Sequence, residues 1–547
     1  VWNHCQTLSP SRFVMTHKAK SPEEYRVILQ QDAPEPVNQL FGPVTQEALL
    51  EVSVKQLVDH AIDVYASDAN HGGGVHYDSK VAERALTSVK ELRSGTALQM
   101  RGGIEQLIAQ GTDPLKVYCE GAHAHGIDYM VRLRMNDLHD TVGFHLNIDK
   151  PPPMPKIYAP DPYYHTSRWR RENPGLLMGD PHDDTPLGMY EHYQRAAPNY
   201  AFGQVRQYMM AIAEELVNHC DLDVLELDFI RAPFFFTRPE RYAQRHVMTE
   251  VVRRIAGFCA AAGDRRGRPV YLSARVPDSI EMSVRTGLDV ERWITDGLLD
   301  MVTISGGYNP FSTPWRDIVS VAEGAGIPAL ACLNHGMFGK DRERIRAAAQ
   351  RACDQGASGI KLWNFFYCLD YYHAPGQNPL DLGFTADIAD PAKLQELSKT
   401  YAAADSKNPT DFVWSIYDHV TAPGQIPLTV GHAMDDIGHC IEFDIADDPA
   451  AGAAGNGWRL KLEIVDVGPG DRLVFAWNTE PIQRDANAWR GHLNNDRHQF
   501  EFALPMNACR KGVNQLEIKL VERDARLDPF VTVLEAQLHL TGRSDER

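Results

Sequence analysis

Long apolar runs are missing from this 547-residue chain: no stretch of about 18 consecutive apolar residues occurs, so no membrane-spanning helix is expected. A basic excess is missing too. Lys and Arg number 55 against 73 Asp and Glu, a formal net charge of −18, which argues against a nucleic-acid partner. Cysteine is sparse. The nine residues show no CxxC pair, so neither a zinc ribbon nor a disulfide framework is expected, and Cys220, Cys259 and Cys353 in helix-like stretches read as buried thiols. No GxGxxG follows an early strand, which removes the dinucleotide fingerprint. The chain opens VWNHCQTL, with neither an initiator Met nor a signal-peptide pattern, and a soluble protein is expected. What is present is ordinary for a globular protein: 43% apolar and 23% charged residues, in a length that exceeds one core and implies two or three units.

From about residue 12 to 365 one theme repeats. A short β-branched or apolar run precedes an amphipathic helical pattern: FVMTH (13–17), AIDVYA (61–66), IDYMVRLRM (127–135), VLELDF (224–229), VYLSARV (270–276), MVTIS (301–305), ALACL (329–333) and GIKLWNF (359–365). Eight strand–helix units predict an α/β fold, a (β/α)8 TIM barrel over 1–404, with an open doubly wound sheet as the competing topology. Two loops are long, 67–100 and 136–200; loops of such length in a barrel build its binding face. SKNPTDF reads as a linker. Beyond it, WRLKLEIVDV, DRLVFAWNT, HQFEFALP, NQLEIKLVE and TVLEAQLHL alternate with period two, predicting a C-terminal all-β sandwich over 405–547 that binds sugar or caps the barrel.

The fourth run, DLDVLELDFIRAPFFF (221–236), ends in two carboxylates of one parity, Glu226 and Asp228, followed by Arg231 and three phenylalanines. Buried carboxylates are costly unless paired. The pair therefore reads either as chemistry at the barrel mouth or as structural acids held by Arg231 or by arginines of a neighbouring strand.

FGQVRQYMMAIAEELVNHCDLDVLELDFIR (202–231), RMNDLHD (134–140), ARVPDS (274–279) and GLDVERWITDGLLDMV (287–302) resemble the glycosyl hydrolase-like family 10 barrels and related barrel glycoside hydrolases, over roughly residues 10–400. The resemblance implies the barrel and glycan chemistry, with Asp228 in the place of the fourth-strand nucleophile or its electrostatic equivalent. Against the chitinase pattern DxxDxDxE, Ile230 stands where the catalytic Glu belongs. The Asn-Glu fourth strand of the large retaining clan is likewise absent.

Glycoside hydrolysis needs a second carboxyl. Asp278 in ARVPDS leads, with Glu281 and Asp137 as rivals; a helix cap formed by Asp278 and Glu281 is the structural alternative. Asn136, Asp137 and His139 follow the third strand and suit sugar hydroxyls, whereas the DLHD spacing is a poor metal match, so no metal and no cofactor are expected. Arg134, Arg275 and Arg231, with Arg132 and the SRWRRE arginines Arg168, Arg170 and Arg171, suit carboxylate or sulfate, so an acidic or sulfated glycan enters the expectation. Salt bridging to the abundant acids is the alternative. Trp169, Tyr308 and Trp363 are candidate stacking faces for pyranose rings, and His71 and His76 in HGGGVHYD have no assigned role. The expected protein is a glycoside hydrolase with a carbohydrate substrate, catalytic Asp228 and Asp278, and Glu226 and Arg231 in support. The rivals are a non-catalytic glycan-binding barrel and a metal-dependent barrel hydrolase or lyase using His139.

Overall fold

The computed structural model describes residues 17–40, 42–87, 95–139, 167–180, 194–334, 338, 341–365, 382–403, 420–433, 436–448, 457–483 and 497–542. Asp140, Tyr163 and Tyr164 lie outside them, as do parts of both long loops. Among the described residues no helix is long and apolar enough to cross a membrane.

Eight parallel strands close into a barrel: β1 (Val27–Gln31), β2 (Val64–Asp68), β3 (Asp128–Arg134), β4 (Val224–Asp228), β5 (Tyr271–Val276), β6 (Met301–Ile304), β7 (Ala329–Asn334) and β8 (Gly359–Trp363), with β1 hydrogen-bonded to both β2 and β8. Seven of the eight runs expected from sequence coincide with strands. The first is corrected. Residues 13–16 of FVMTH lie outside the described residues, His17 is not in a strand, and β1 is VILQQ. Its two terminal glutamines are buried and disguise the apolar run, Gln31 taking a hydrogen bond from Tyr65 at 2.6 Å.

Inward-facing side chains stack in layers, as barrels require. At the floor, Ile28, Val64, Ala66, Met130, Val224, Met301 and Leu330 form an apolar cluster. Above it the layer turns ionic, because register brings Arg132 beside Glu226, Glu226 beside Ser273, and Arg134 and Arg275 on either side of Asp228. Helices such as Gly203–His219 and Arg241–Arg266 pack outside. The latter ends at Gly267, whose φ of +68° supplies the left-handed cap. The sandwich contains β9 (Lys399–Ala402), β10 (Leu428–Gly431), β11 (His439–Ile445), β12 (Trp458–Val465), β13 (Arg472–Trp477), β14 (Glu480–Ile482), β15 (Arg497–Leu504), β16 (Gly512–Glu522) and β17 (Phe530–Leu540). One sheet holds β9, β10, β17, β12 and β15, the other β11, β16, β13 and β14. Trp458, Leu460, Leu462 and Ile464 alternate inward along β12, the period-two pattern its sequence showed. Lys399–Ala402 pairs with β17, so sandwich pairing begins a few residues before 405.

Candidate active site

The acids ending β4 are fully enclosed. Asp228 accepts Arg275 Nε and Nη2, both at 3.0 Å, and the amide of Ile230 at 2.9 Å, while Arg132 Nη1 stands 3.2 Å from its second oxygen. Burial would raise this carboxyl, but Arg275 and Arg132 outweigh it and hold the group well below the usual carboxylate range. Of the two readings open from sequence, the contacts of Asp228 are those of an acid held by arginines of both adjacent strands, closed off from solvent. Glu226, one layer lower, is ion-paired across the barrel with Lys361 and accepts Thr303 Oγ1 at 2.9 Å. Burial depresses the Lys361 ammonium, against the pull of Glu226.

Asp278 is also buried, but among other partners. Its Oδ2 accepts Thr313 Oγ1 at 3.0 Å and the amide of Ala422 at 2.8 Å, and its own amide donates to Val420 at 3.0 Å. It therefore fastens the strand-end loop to the chain that leads into the sandwich. Burial pushes its carboxyl up to about 6, against the lowering effect of the Ala422 amide, Ser305 and Thr313. The cap of the following helix is Ser279, which accepts the Met282 amide at 3.1 Å, and Glu281 lies exposed beside Arg285. No described contact joins Asp278 to Asp228.

The groups that do converge on Asp228 include two that the sequence reading overlooked. Asp68, ending β2, and Asp32, just beyond β1, meet Arg132 and Arg134. Arg132 bonds Asp68 through Nε and lies 3.5 Å from Asp32; Arg134 Nη2 contacts Asp68 and lies 2.9 Å from Asp32, while its Nη1 reaches Asp137 at 2.7 Å. Asp32 and Asp68 therefore share both guanidiniums. Asp68 is 1% exposed and Asp32 16%, so the deeper member keeps the proton. Burial pushes Asp68 up to about 7 despite both arginines, with Asp32 adding to the rise. Asp32 is held well below its ordinary value because Arg134, the protonated Asp68 and Arg132 outweigh its burial. The available signal was parity: Asp68 ends an inward-facing series, Val64 and Ala66, just as Asp228 does.

Asp137 and His139 form a second pair. Asp137 Oδ1 accepts the His139 amide at 2.8 Å and its Nδ1, and Arg231 Nη2 contacts His139 Nε2. Burial would raise Asp137, yet His139 and Arg134 keep it well below the ordinary range; burial and Arg231 lower His139. A neutral imidazole with Nδ1–H toward Asp137 and a lone pair at Nε2 satisfies both neighbours. His71, in the hairpin Asn70–His71/Gly74–Val75, packs at 4.2 Å on the His139 ring. His76 is buried with neither ring nitrogen hydrogen-bonded among the described residues, and burial lowers it to about 3. Asn136 donates to the carbonyls of Pro198, at 3.2 Å, and Phe234, fixing the loop above β3.

The aromatic residues sort into packing and roofing. Phe235 packs edge-on against Phe229 and Tyr200, and Phe236 lies in the core, so the phenylalanine run is mostly interior. Trp363 roofs the ionic layer. Arg275 lies 4.2 Å from its ring centroid and Tyr308 meets it edge-on at 5.4 Å; both aromatics are buried, and the indole N–H of Trp363 makes no hydrogen bond among the described residues. Gly307, at φ +69°, lets this loop pass β7, since a Cβ there would lie 2.5 Å from the Asn334 nitrogen. Ser305 and Asn364, at the ends of β6 and β8, hold φ of +84° and +58°, backbone strain of the kind found at functional sites. Trp169 stacks on Tyr208 at 4.9 Å. Arg170 is buried and donates to the carbonyls of Ala196 and, at 2.9 Å, Asp137.

No protein-family model matches the chain, and no curated protein matches it. Solved structures resemble it at low overall similarity. An α-amylase from Anoxybacillus is 8% identical, covers 92% of this chain and 100% of its own, and has a TM-score of 0.38. The catalytic domain of chitinase B from Arthrobacter TAD20 is 10% identical, covering 69% and 97%, at 0.37. The α-L-fucosidase isoenzyme 2 of Paenibacillus thiaminolyticus is 11% identical, covering 72% and 49%, at 0.36. Likeness at this level says nothing about activity.

Proposed function

We propose that the chain is a glycoside hydrolase of the barrel type, acting on a poly- or oligosaccharide that carries acidic or sulfated groups. One observation supports it above the rest. Two neighbouring carboxyls at the barrel mouth have proton affinities pushed apart, Asp68 up to about 7 and Asp32 well down, the division of labour that acid–base chemistry at neutral pH demands. Asp68 is the proton donor in this reading. Asp32, the more exposed of the two, is the ionised partner that meets the anomeric carbon while Asp68 protonates the leaving oxygen, and substrate parts the two carboxyls to at least about 5 Å so that the scissile bond lies between them. Asp228 positions Arg132 and Arg275, because its charge is already neutralised by them. The competing assignment makes Asp228 the nucleophile and Asp278, raised to about 6, the donor.

The anionic substrate is supported by charge. Asp32, Asp68, Asp137, Glu226 and Asp228 face Arg132, Arg134, Arg231, Arg275 and Lys361, so a protonated Asp68 leaves the cluster cationic. A second reading rests on the His139–Asp137 dyad: with Arg231 drawn off Nε2 by a uronate carboxylate, the freed lone pair suits a general base removing the adjacent proton, which is lyase chemistry. Incubation with a panel of neutral, uronic and sulfated polysaccharides separates the readings. Hydrolysis yields saturated reducing ends and a lyase yields unsaturated ones. Asp68→Asn and Asp32→Asn are each expected to reduce turnover by two or more orders of magnitude, with His139→Ala affecting it less. Full turnover in both aspartate variants, with loss in Asp278→Asn, would transfer the donor role to Asp278.

A further inference from the structure

At the opposite end of the barrel, beneath the apolar floor, side chains from four segments meet. His17 precedes β1, His123 lies in the last turn of the helix Pro114–Ala124, Asp128 opens β3 and Asp223 lies just before β4. Their donor atoms face one another. His123 Nε2 is 2.7 Å from Asp223 Oδ2, His17 Nε2 is 3.8 Å from the same oxygen, and these three atoms all lie within 4.8 Å of each other. His17 Nε2 is also 2.8 Å from Asp128 Oδ1. The two imidazoles stack in parallel, centroids 3.9 Å apart with planes 9° from parallel.

We infer that this cluster is a structural site for zinc or a similar divalent first-row ion, with His17, His123, Asp223 and Asp128 as its four ligands. Two imidazoles and two carboxylates are a closed N2O2 set of the kind zinc accepts; bonds of about 2.0–2.2 Å in a tetrahedron set ligand atoms roughly 3.3–3.6 Å apart, so the 2.7 and 2.8 Å contacts would open by about half an ångström or more and the stacked rings would turn out of parallel to share one ion. Hydrogen bonding accounts for the cluster only in part. His17 Nε2 and Asp128 Oδ1 are both buried and, although 2.8 Å apart, neither makes a hydrogen bond among the described residues; Asp128 is fully enclosed. A buried nitrogen and a buried carboxylate oxygen in contact but without hydrogen-bond geometry are what an ion between them would satisfy.

The surroundings hold the carboxylates in ligand orientation. Asp128 Oδ2 is taken by Tyr25 Oη at 2.7 Å and the Lys20 amide at 2.9 Å, which leaves Oδ1 for the centre. Asp223 Oδ1 is taken by Arg268 at 2.8 Å, and its Oδ2 accepts the Tyr129 amide at 2.8 Å and hydrogen-bonds His123 Nε2 at 2.7 Å, the bond an ion would replace. Such outer contacts orient metal-bound carboxylates and hold much of the affinity. The ion would tie the segment before β1 to the floors of β3 and β4, remote from the mouth, so its role is to clasp the barrel and not to react.

The test uses the full chain, stripped with chelator and titrated calorimetrically with zinc. One equivalent per chain is expected, with a higher thermal midpoint on binding. His17→Gln and His123→Gln, checked for folding by circular dichroism, are each expected to bind at least ~10-fold more weakly. Absence of uptake by the unaltered chain, or equal stoichiometry and affinity in both variants, would overturn the inference. Should a variant fail to fold, X-ray absorption on the zinc-loaded parent decides: a four-coordinate shell containing two imidazoles upholds the site, and an oxygen-only shell removes it.

Discussion

Replacing Asp228 by Asn tests the ionic layer most directly. The side chain is nearly isosteric and keeps an oxygen for the Ile230 amide, now 2.9 Å away, so the change removes charge and little else. Two fully buried guanidiniums depend on that charge unequally. Arg132 retains Asp68, whereas Arg275 is left with the face of Trp363 at 4.2 Å, a contact worth about 2 kcal/mol when desolvated. Breaking a buried pair by removing one partner costs about 3–5 kcal/mol. With the retained hydrogen bond and the indole contact, the low end applies, about 3 kcal/mol, or roughly two decades in the unfolding constant at about 1.4 kcal/mol per decade. Denaturant unfolding followed by tryptophan fluorescence reads this as a lower midpoint at unchanged slope. Adding Arg275→Met to Asp228→Asn is expected to restore part of the loss, because the uncompensated cation goes with it. The pH dependence has a definite sign. The folded carboxyl sits below its unfolded value of about 3.9, so its contribution is present above that pH and disappears as pH falls toward the folded value. The gap between parent and variant should therefore narrow in acid. An Asp228→Asn protein that unfolds at the parental denaturant concentration at neutral pH would refute the ionic reading of this layer.

Lys361→Met strands Glu226 in the barrel interior and is expected to destabilise by about 3–5 kcal/mol, while the Glu226→Gln/Lys361→Met pair recovers much of it; equal losses in single and double variants would count against the pairing. Asp68 titrates in the other direction from Asp228. Its folded carboxyl is raised to about 7, so stability is full below about 3.9 and declines as pH rises through about 7. Asp68→Asn should flatten that limb of a stability–pH profile, and an unchanged limb would locate the proton elsewhere. Arg170→Ala removes charged hydrogen bonds to the carbonyls of Ala196 and Asp137 and should cost about 1.5–3 kcal/mol. Measured affinities for neutral and charged glycans should then fall alike; a loss confined to charged ones would return Arg170 to substrate binding.

Seven barrel strands and the alternating strands of the sandwich were readable because their signals are local: apolar runs with a helix between them, glycine at helix ends, period two from Trp458 to Val465. β1 escaped because Gln30 and Gln31 are buried by partners no local pattern names. The carboxylates of β4 were visible as an anomaly, since an acid on an inward-facing series is costly unless something answers it. What answers it was not visible. Lys361 reaches Glu226 across 135 positions, and Arg275 reaches Asp228 across 47. Asp278 meets Ala422 across 144, which drew it into the junction with the sandwich and away from Asp228. Asp32 and Asp68 stand at the ends of neighbouring strands, and only the pairing of those strands with β3 sets both acids against Arg132 and Arg134. Proton affinity inside a barrel depends on burial and on the charges within a few ångströms, and strand register and ring closure set both after the local patterns have done their part.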